Sequence, residues 1–185
     1  SAFEAREIIR ADGGVLTANF EFTERSHKIA QLKAPSGVKR RWVLANSSHV
    51  LDLAFHLIGR PRDWHHVHDG SIEWHENAAR FAGSGITEDG VLFSYFADWQ
   101  APGRWGIDLL TTKHRLVFRP MENLQVTDLG SDETKLAAID SANDKFKPGL
   151  YRQTESFLLR DFTYLCSLED QRQNVKLYET IAGYS

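Results

Sequence analysis

The sequence predicts an α+β domain in which an open, largely antiparallel β-sheet carries its helices on one face. Several strand-like segments follow one another between about residues 64 and 118, separated by the short turns Asp69-Gly70, Asp89-Gly90 and Pro102-Gly103. Such closely spaced turns favour antiparallel pairing. The helix-like segments lie outside this run of strands, which is typical of an α+β domain.

The first elements follow from local signals. A short helix is predicted over Phe3 to Arg10, ended by Asp12-Gly13-Gly14. Apolar and polar residues alternate from Val15 to Glu24, which predicts a strand with one buried face. Residues 25–41 are basic and contain Pro35-Ser36-Gly37, so we expect an irregular loop there. Asn46, Ser47 or Ser48 can cap a helix that runs to Ile58 and stops at Gly59.

The remaining elements are strands and two C-terminal helices. The strands are expected at about 64–69, 72–76, 79–87, 90–99, 104–112 and 114–118. Residues 121–147 are polar and lack a clear period. Lys147-Pro148-Gly149 introduces a helix from about Leu150 to Cys166, and Ser167 with Asp170 starts a last helix that runs to Ala182.

The strand segments are unusually rich in aromatic residues. These are Trp64, Trp74, Phe81, Phe93, Tyr95, Phe96, Trp99, Trp105 and Phe118. A sheet face open to solvent does not normally carry so many. We therefore expect the face without helices to form a homodimer interface or to pack on another domain.

Length and composition restrict the class of protein. A chain of 185 residues fits one domain, and its formal charge of -3 gives no general reason to bind nucleic acid or an anionic membrane. The single cysteine, Cys166, indicates a reducing compartment, and we expect the cytoplasm. No apolar run is long enough to span a membrane, and no signal-peptide core is present. Because Met121 is the only methionine, we expect the chain to have been processed or cut from a longer one.

The most informative polar residues lie on the helix that ends at Ile58. His49, Asp52 and His56 are spaced by three and four residues, so they line one stripe of the helix and can converge on a shared site. The alternative is a solvated face on which Asp52 only orients one of the histidines. Catalysis would require His49 to be open to substrate.

Two other clusters allow a weaker functional interpretation. His66 and His68 share one face of a strand near His65 and His75, but no third ligand stands at a diagnostic spacing, so we predict no metal site. A metal-dependent hydrolase is accordingly the weakest alternative. The segment from Tyr95 to Pro120 mixes aromatic and charged residues, which suits sugar binding or ordinary sheet packing equally well.

In that segment, Arg104 follows the Pro102-Gly103 turn and is expected to be exposed. The motifs that are missing matter as well. The chain has no G-x-G-x-x-G after a strand, no phosphate-binding P-loop and no G-x-S-x-G elbow. We therefore expect it to bind no nucleotide cofactor alone.

The order of these motifs resembles a known family. The stretch from Trp42 to Gly59, with His49 and Asp52, is similar to the H-x-x-D helix of the glucose-fructose oxidoreductase/inositol dehydrogenase (Gfo/Idh/MocA) family. The segments that extend the resemblance over nearly the whole chain are the helix-Gly-Gly-strand opening, Tyr95–Trp99 with Gly103–Trp105, Arg119–Glu122 and Lys147–Tyr151.

The resemblance implies a domain organisation. In that family an N-terminal Rossmann domain binds NAD(P), and a C-terminal α+β domain contacts the substrate and oligomerises through its open sheet. Residues 1–185 would be the C-terminal domain alone, and the Rossmann domain would be absent from this chain. NAD or NADP would bind mainly to that missing domain, and the substrate would be a sugar, a sugar derivative or a polyol.

The resemblance also implies residue roles. His49 matches the family histidine, which transfers a proton to or from the substrate hydroxyl or holds that hydroxyl. We further predict that Asn46, Asp52, His56 and Arg104 bind substrate. Many family members have an aspartate four residues before the histidine, where this sequence has Ala45. The leading interpretation is thus an oxidoreductase domain that is inactive without its Rossmann domain, and the alternative is a non-catalytic binding or assembly module.

Overall fold

The computed structural model describes residues 1–137, 145–147, 149–163 and 165–184. Its helices are α1 (Ala2–Ala11), α2 (Ser26–Ala30), α3 (Ser36–Arg40), α4 (Ser48–Ile58), α5 (Leu150–Leu159) and α6 (Leu168–Ala182), and a π-helical turn (Val43–Ser47) precedes α4. Its strands are β1 (Val15–Phe22), β2 (Pro61–Asp69), β3 (Arg80–Thr87), β4 (Leu92–Asp98), β5 (Trp105–Thr111), β6 (His114–Phe118), β7 (Leu124–Asp128) and β8 (Thr134–Leu136).

These eight strands form one open sheet in the order β2-β3-β4-β1-β5-β6-β7-β8. Neighbouring strands are antiparallel except β1 and β4, which run parallel. Gly90, with φ of +82°, allows the tight reversal between β3 and β4. The predicted fold class, an α+β domain with a largely antiparallel open sheet, is confirmed.

The hydrophobic core lies between the sheet and α4. The ring of Phe55 meets Phe20 of β1 edge-on at 5.3 Å and Phe93 of β4 at 5.6 Å. The side chains that α4 buries are Val50, Leu51, Ala54, Phe55, Leu57 and Ile58. Burial of each larger side chain contributes about 1.5–3 kcal/mol, so α4 is the helix that fixes the helical layer on the sheet.

The prediction that aromatic side chains crowd the open face of the sheet is wrong. Phe93, Tyr95, Phe81 and Trp99 are all buried on the helix side, where Tyr95 stacks on Phe20 at 5.3 Å and Trp99 contacts Phe81 at 5.0 Å. Alternation within a strand is clear from sequence, but the pattern does not say which of the two faces receives the helices. Here the aromatic face is the covered one.

The open face instead carries isolated apolar side chains among small and polar ones. One row runs across it from Val67 through Ala82 to Phe96, and a second joins Leu92, Thr17 and Leu110. The exposed fraction is 67% for Val67, 56% for Leu92 and 47% for Phe96. This face is therefore open and moderately apolar.

One edge of the core is closed by a buried carboxylate just after α1. Asp12 Oδ2 accepts hydrogen bonds from Thr111 Oγ1 at 2.7 Å and from His114 Nδ1 at 2.6 Å. Lys113 Nζ lies 4.0 Å from the other oxygen. Burial raises the pKa of Asp12, but the hydrogen bonds from His114 and Thr111 outweigh that effect and hold the pKa below its usual range.

Several boundaries differ from the prediction. Residues 72–76 form a tight turn closed by a bridge between Ile72 and His75 rather than a strand. The basic stretch 25–41 contains α2 and α3, and α2 is held by its buried Ile29. The stretch 121–147 contains β7 and β8, because Leu124 is buried against the sheet.

Of the two C-terminal helices, α5 is shorter than predicted and α6 ends where it was predicted to end. The helix expected to run to Cys166 ends at Leu159, where Arg160 adopts a left-handed conformation with φ of 55°. Pro148, which was expected to introduce that helix, lies outside the described residues. The start of α6 is confirmed, since Ser167 Oγ accepts a hydrogen bond from the backbone N–H of Asp170. Within the described part of the chain, no helix has the length and apolar character needed to cross a membrane.

Candidate functional site

The π-helical turn before α4 points polar side chains at the end of β1. Ser47 Oγ donates a hydrogen bond of 2.7 Å to Glu24 Oε1, and Asn46 Nδ2 donates one of 3.0 Å to the same oxygen. An extra residue in a helical turn shifts the side chains around the axis, and such turns are frequent at functional sites. The turn thereby ties the start of α4 to the residues that follow β1.

A cavity of about 270 Å³ opens at this junction. It lies between the end of β1, α2, the π-helical turn and the start of β5. Its walls are formed by Thr23, Glu24, Arg25, Lys28, Ile29, Leu32, Trp42, Asn46, Gly103, Arg104 and Trp105. Two indoles, a buried acid, an amide and three cations are the chemistry of a site for a polar small molecule with an apolar face.

Glu24 is the buried acid of this cavity. Only 8% of the residue is exposed. Burial raises the pKa of Glu24 above its usual range, although the hydrogen bonds from Ser47 and Asn46 act against the rise. The neutral carboxylic acid is therefore favoured more than at an exposed glutamate, and a neutral acid can donate a hydrogen bond to a ligand oxygen.

His49 stands beside this cavity, one helical turn beyond Asn46. Its imidazole is exposed, and its ring centre lies 6.2 Å from that of Trp105, which forms part of the wall. An accessible imidazole next to a cavity of this size can exchange a proton with a hydroxyl group bound there.

The other two members of the predicted stripe have partners elsewhere. Asp52 Oδ1 accepts hydrogen bonds from Tyr178 at 2.8 Å and Asn174 at 3.2 Å, both on α6. His56 Nε2 lies 3.2 Å from Arg6 Nη1 on α1. Burial, followed by the charge of Arg6, lowers the pKa of His56. Asp52 and His56 thus hold α4 against its neighbours, and neither forms part of the cavity wall.

Arg104 reaches the cavity through a close turn at Gly103. A Cβ atom on Gly103 would lie 2.5 Å from Glu21 Oε1 and 2.5 Å from Thr23 Cγ2, so no side chain fits there. The backbone N–H of Arg104 donates to Glu21 Oε1 at 3.1 Å, while the guanidinium is exposed as the turn predicts. The structure therefore brings Asn46 and Arg104 into one cavity.

Sequence reasoning missed Glu24, Arg25, Lys28 and Trp42 as candidate site residues. The alternating pattern places Glu24 at the end of a strand, and the composition of residues 25–41 predicts a loop for the cations. The available signal was a run of charged residues directly after a strand that is mostly buried. From the segment between Tyr95 and Pro120, only residues 103–105 reach the cavity.

The histidines near β2 do not assemble a metal site. His66 and His68 stack with ring centres 6.2 Å apart, which confirms that they share a face. His75 is buried, with Nδ1 2.6 Å from the carbonyl of Ala78 and Nε2 2.7 Å from the hydroxyl of Tyr184. Across the part of the chain that the structure describes, no three His, Cys, Asp or Glu side chains are grouped to hold a metal ion.

No protein-family model matches the sequence, and no curated protein sequence matches it. Solved structures do match the fold. Levoglucosan dehydrogenase in complex with NADH and levoglucosan aligns over 97% of this chain with a TM-score of 0.66 and 18% identity. UDP-N-acetylglucosamine 3-dehydrogenase GnnA from Acidithiobacillus ferrooxidans aligns over 97% with a TM-score of 0.62 and 16% identity. An NAD-binding oxidoreductase from Klebsiella pneumoniae aligns over 98% with a TM-score of 0.68 and 17% identity.

The chain spans about 59% of the length of the levoglucosan dehydrogenase structure, 57% of GnnA and 60% of the Klebsiella protein. These similar structures are oxidoreductases of the Gfo/Idh/MocA type. The share of their length that is matched is consistent with one C-terminal domain. The resemblance that the sequence motifs predict is therefore confirmed for the fold: the chain folds like the C-terminal domain of Gfo/Idh/MocA-type oxidoreductases.

Proposed function

We propose that this chain is the substrate-binding and dimerising domain of an NAD(P)-dependent oxidoreductase that acts on a sugar, a sugar derivative or a polyol. The observation that carries the proposal is the exposed imidazole of His49 next to a cavity lined by Trp105, Asn46 and Arg104. Indole faces suit the apolar face of a sugar ring, and amide and guanidinium groups suit its hydroxyls. Levoglucosan dehydrogenase, with the same fold, binds levoglucosan and L-sorbose together with NADH.

The described residues do not fit a dinucleotide. Among them, β1 and β4 are the only strands that pair in parallel, and the chain between them forms helices α2 to α4 and strands β2 and β3. No glycine-rich turn leads from β1 or β4 into a helix. We therefore assign the cofactor to a Rossmann domain outside these 185 residues. A bound nicotinamide would exchange a hydride with the carbon that carries the reacting hydroxyl.

The residues of this chain act on the proton and on the position of the substrate. His49 accepts the hydroxyl proton during oxidation and returns it during reduction. Asn46 and Arg104 hold neighbouring oxygens of the substrate, and Glu24, whose raised pKa favours the protonated form, can donate a hydrogen bond at the base of the cavity when it is protonated. Asp52 and His56 act indirectly. Their contacts to α6 and α1 fix the position of α4 and therefore the position of His49.

Replacement of His49 in the complete protein is the direct test. In H49A we expect turnover of the best sugar or polyol substrate to fall about a hundredfold or more, because the proton acceptor is lost. NAD(P)H binding, followed by nicotinamide fluorescence, should not change. H65A removes an exposed histidine from the open sheet face and should keep full turnover.

A non-catalytic binding or assembly module is the second candidate. Ala45 favours it, since this exposed residue offers no acid where many members of the family have an aspartate. This candidate predicts that H49A and the unmodified protein behave alike in every assay. Failure of the complete protein to bind NAD(P)H would also support the module and end the oxidoreductase proposal.

The proposed dimer uses the open face of the sheet. In a chain carrying both F96K and L110K, two charges would be buried in the interface, so we expect the dimer to dissociate. Sedimentation equilibrium measures this directly. L129K adds a charge at an exposed leucine that lies beyond the end of β7, and it should leave the dimer intact. A monomeric unmodified protein at high concentration would contradict the proposal.

A further inference from the structure

The cavity concentrates positive charge on a chain that is negative as a whole. Three of its wall residues, Arg25, Lys28 and Arg104, are cationic, and Glu24 is the only acidic one. The whole chain has 22 Lys and Arg residues against 25 Asp and Glu residues. The cavity wall therefore carries more cationic than acidic side chains, unlike the chain as a whole, and such a wall attracts anions.

The three cations are also not neutralised by neighbouring acids. Among the described residues, the ion pairs include none that joins Arg25, Lys28 or Arg104 to a carboxylate. Glu21, which accepts a hydrogen bond from the backbone N–H of Arg104, lies outside the wall, is buried and is paired with Arg119 at 3.0 Å.

Glu24 forms no ion pair with these cations either. Its carboxyl is buried, and Oε1 is already used by Asn46 and Ser47. The cavity thus has a buried, hydrogen-bonded base and a cationic mouth formed by exposed side chains at the start of α2, within α2 and in the turn before β5. Trp42 and Trp105 supply the flat wall between the base and the mouth.

We propose that this cavity selects an anionic sugar derivative, with the ring against Trp105 and a carboxylate or phosphate held by Lys28, Arg25 and Arg104. This inference rests on the proposed function, since it names the substrate class of the same site. Carboxylates and phosphates form charge-assisted hydrogen bonds with guanidinium and ammonium groups, and these are about twice as strong as neutral ones. A neutral sugar would form no such charge-assisted bonds and would leave the three exposed cations to water.

Binding to the complete protein tests the inference without any need for turnover. The probes are glucuronate, glucose 6-phosphate and glucose, titrated at low ionic strength while tryptophan fluorescence is followed, because two indoles line the cavity. We expect at least one anionic probe to bind about tenfold or more tightly than glucose, with an affinity that falls as salt is added. Preference for glucuronate assigns a carboxylate, and preference for glucose 6-phosphate assigns a phosphate.

Single substitutions then show which cationic side chains bind the anionic group. K28Q should weaken the favoured anionic probe about tenfold and leave the affinity for glucose within about twofold. R104Q should also weaken the anionic probe about tenfold, and by more than it weakens glucose. R62Q removes an equally exposed cation on β2, three strands away from β1, and should change neither affinity.

Three results would overturn the inference. The first is binding of glucose as tightly as both anions, the second is a loss of glucose affinity in K28Q equal to the loss of anion affinity, and the third is binding of inorganic phosphate as tightly as glucose 6-phosphate. Parallel measurement of NAD(P)H binding keeps the two proposals apart. A protein that binds the cofactor but prefers neutral sugars is still an oxidoreductase, whereas one that prefers the anions without binding cofactor is a sugar-acid or sugar-phosphate binding module.

Discussion

Two buried carboxyl groups flank β1, and they are held in opposite ways. Asp12, before the strand, is surrounded by Thr111, His114 and Lys113, which stabilise its charged form. Glu24, after the strand, has two neutral donors, Asn46 and Ser47, which do not overcome the cost of burial. Burial alone therefore does not indicate a functional group. An acid with a full set of charged and polar partners belongs to the structure, and one with incomplete compensation next to a cavity is available for a ligand.

Asp12 gives the largest expected effect on stability. D12N removes the charge that pairs with His114 and leaves a buried polar cluster mismatched, so we expect the free energy of unfolding to fall by about 2–3 kcal/mol. Urea unfolding at neutral pH measures this. A change below about 0.5 kcal/mol would show that the cluster is not structural.

The turn at Gly103, next to the cavity, should be sensitive to added side-chain volume rather than to a change of charge. G103A would push a methyl group against Glu21 and Thr23, so we expect a loss of about 1–3 kcal/mol together with weaker sugar binding. G37A is the matched control, because a Cβ atom on Gly37 meets no atom within 4 Å. Thermal unfolding of the two variants compares them, and equal stability would contradict the close packing of the Gly103 turn.

The contributions of Asp12 and Glu24 to folding stability should change with pH in opposite directions. The folded pKa of Asp12 is below its usual value of 3.8, so its contribution to stability is complete above that value and is lost as pH falls through the folded pKa. The folded pKa of Glu24 is above 4.5, so ionisation of Glu24 lowers stability as pH rises from 4.5 through the folded pKa. In unfolding curves across this range, the deficit of D12N should shrink at acid pH. A deficit that does not change with pH would contradict the assignment.

Glu24 gives the smallest expected effect on stability. E24Q keeps an oxygen to accept from Asn46 and Ser47 and removes only the charge, so we expect the free energy of unfolding to stay within about 1 kcal/mol or to rise at neutral pH. The rise should vanish below pH 4.5, where both side chains are neutral. Strong destabilisation by E24Q at neutral pH would place Glu24 in the same class as Asp12.

Much of the fold follows from local sequence signals, and α4 and α6 are the clearest examples. Their apolar spacing and the Ser167 cap act within a few residues, so the sequence alone predicts both helices. The location of β1 between β4 and β5 depends on pairing with distant residues and could not be predicted in this way. The same holds for the helix-side location of the aromatic residues and for β7, whose short apolar signal depends on burial of Leu124.

The candidate site shows the same limit. His49, Asn46 and Arg104 were found from spacing, turn chemistry and resemblance, and the structure places Asn46 and Arg104 in the cavity and His49 beside it. Glu24, Arg25 and Lys28 were missed, because only the folded chain brings the end of β1 against the turn before α4. Asp52 and His56 share the helical spacing of His49, but their contacts are set by α6 and α1, which no local pattern reveals.

The central location of β1 also has a consequence for how the chain is made. Both partners of β1 come later in the sequence, about 75 residues further on for β4 and about 90 for β5. At a ribosomal rate of about 5–20 residues per second, a finished β1 waits several seconds with both edges unpaired. β1 therefore has no paired edge until β4 has emerged and is enclosed only when β5 follows. We expect folding to be slow for a domain of this size, and β1 to depend on protection from other contacts until β5 has emerged.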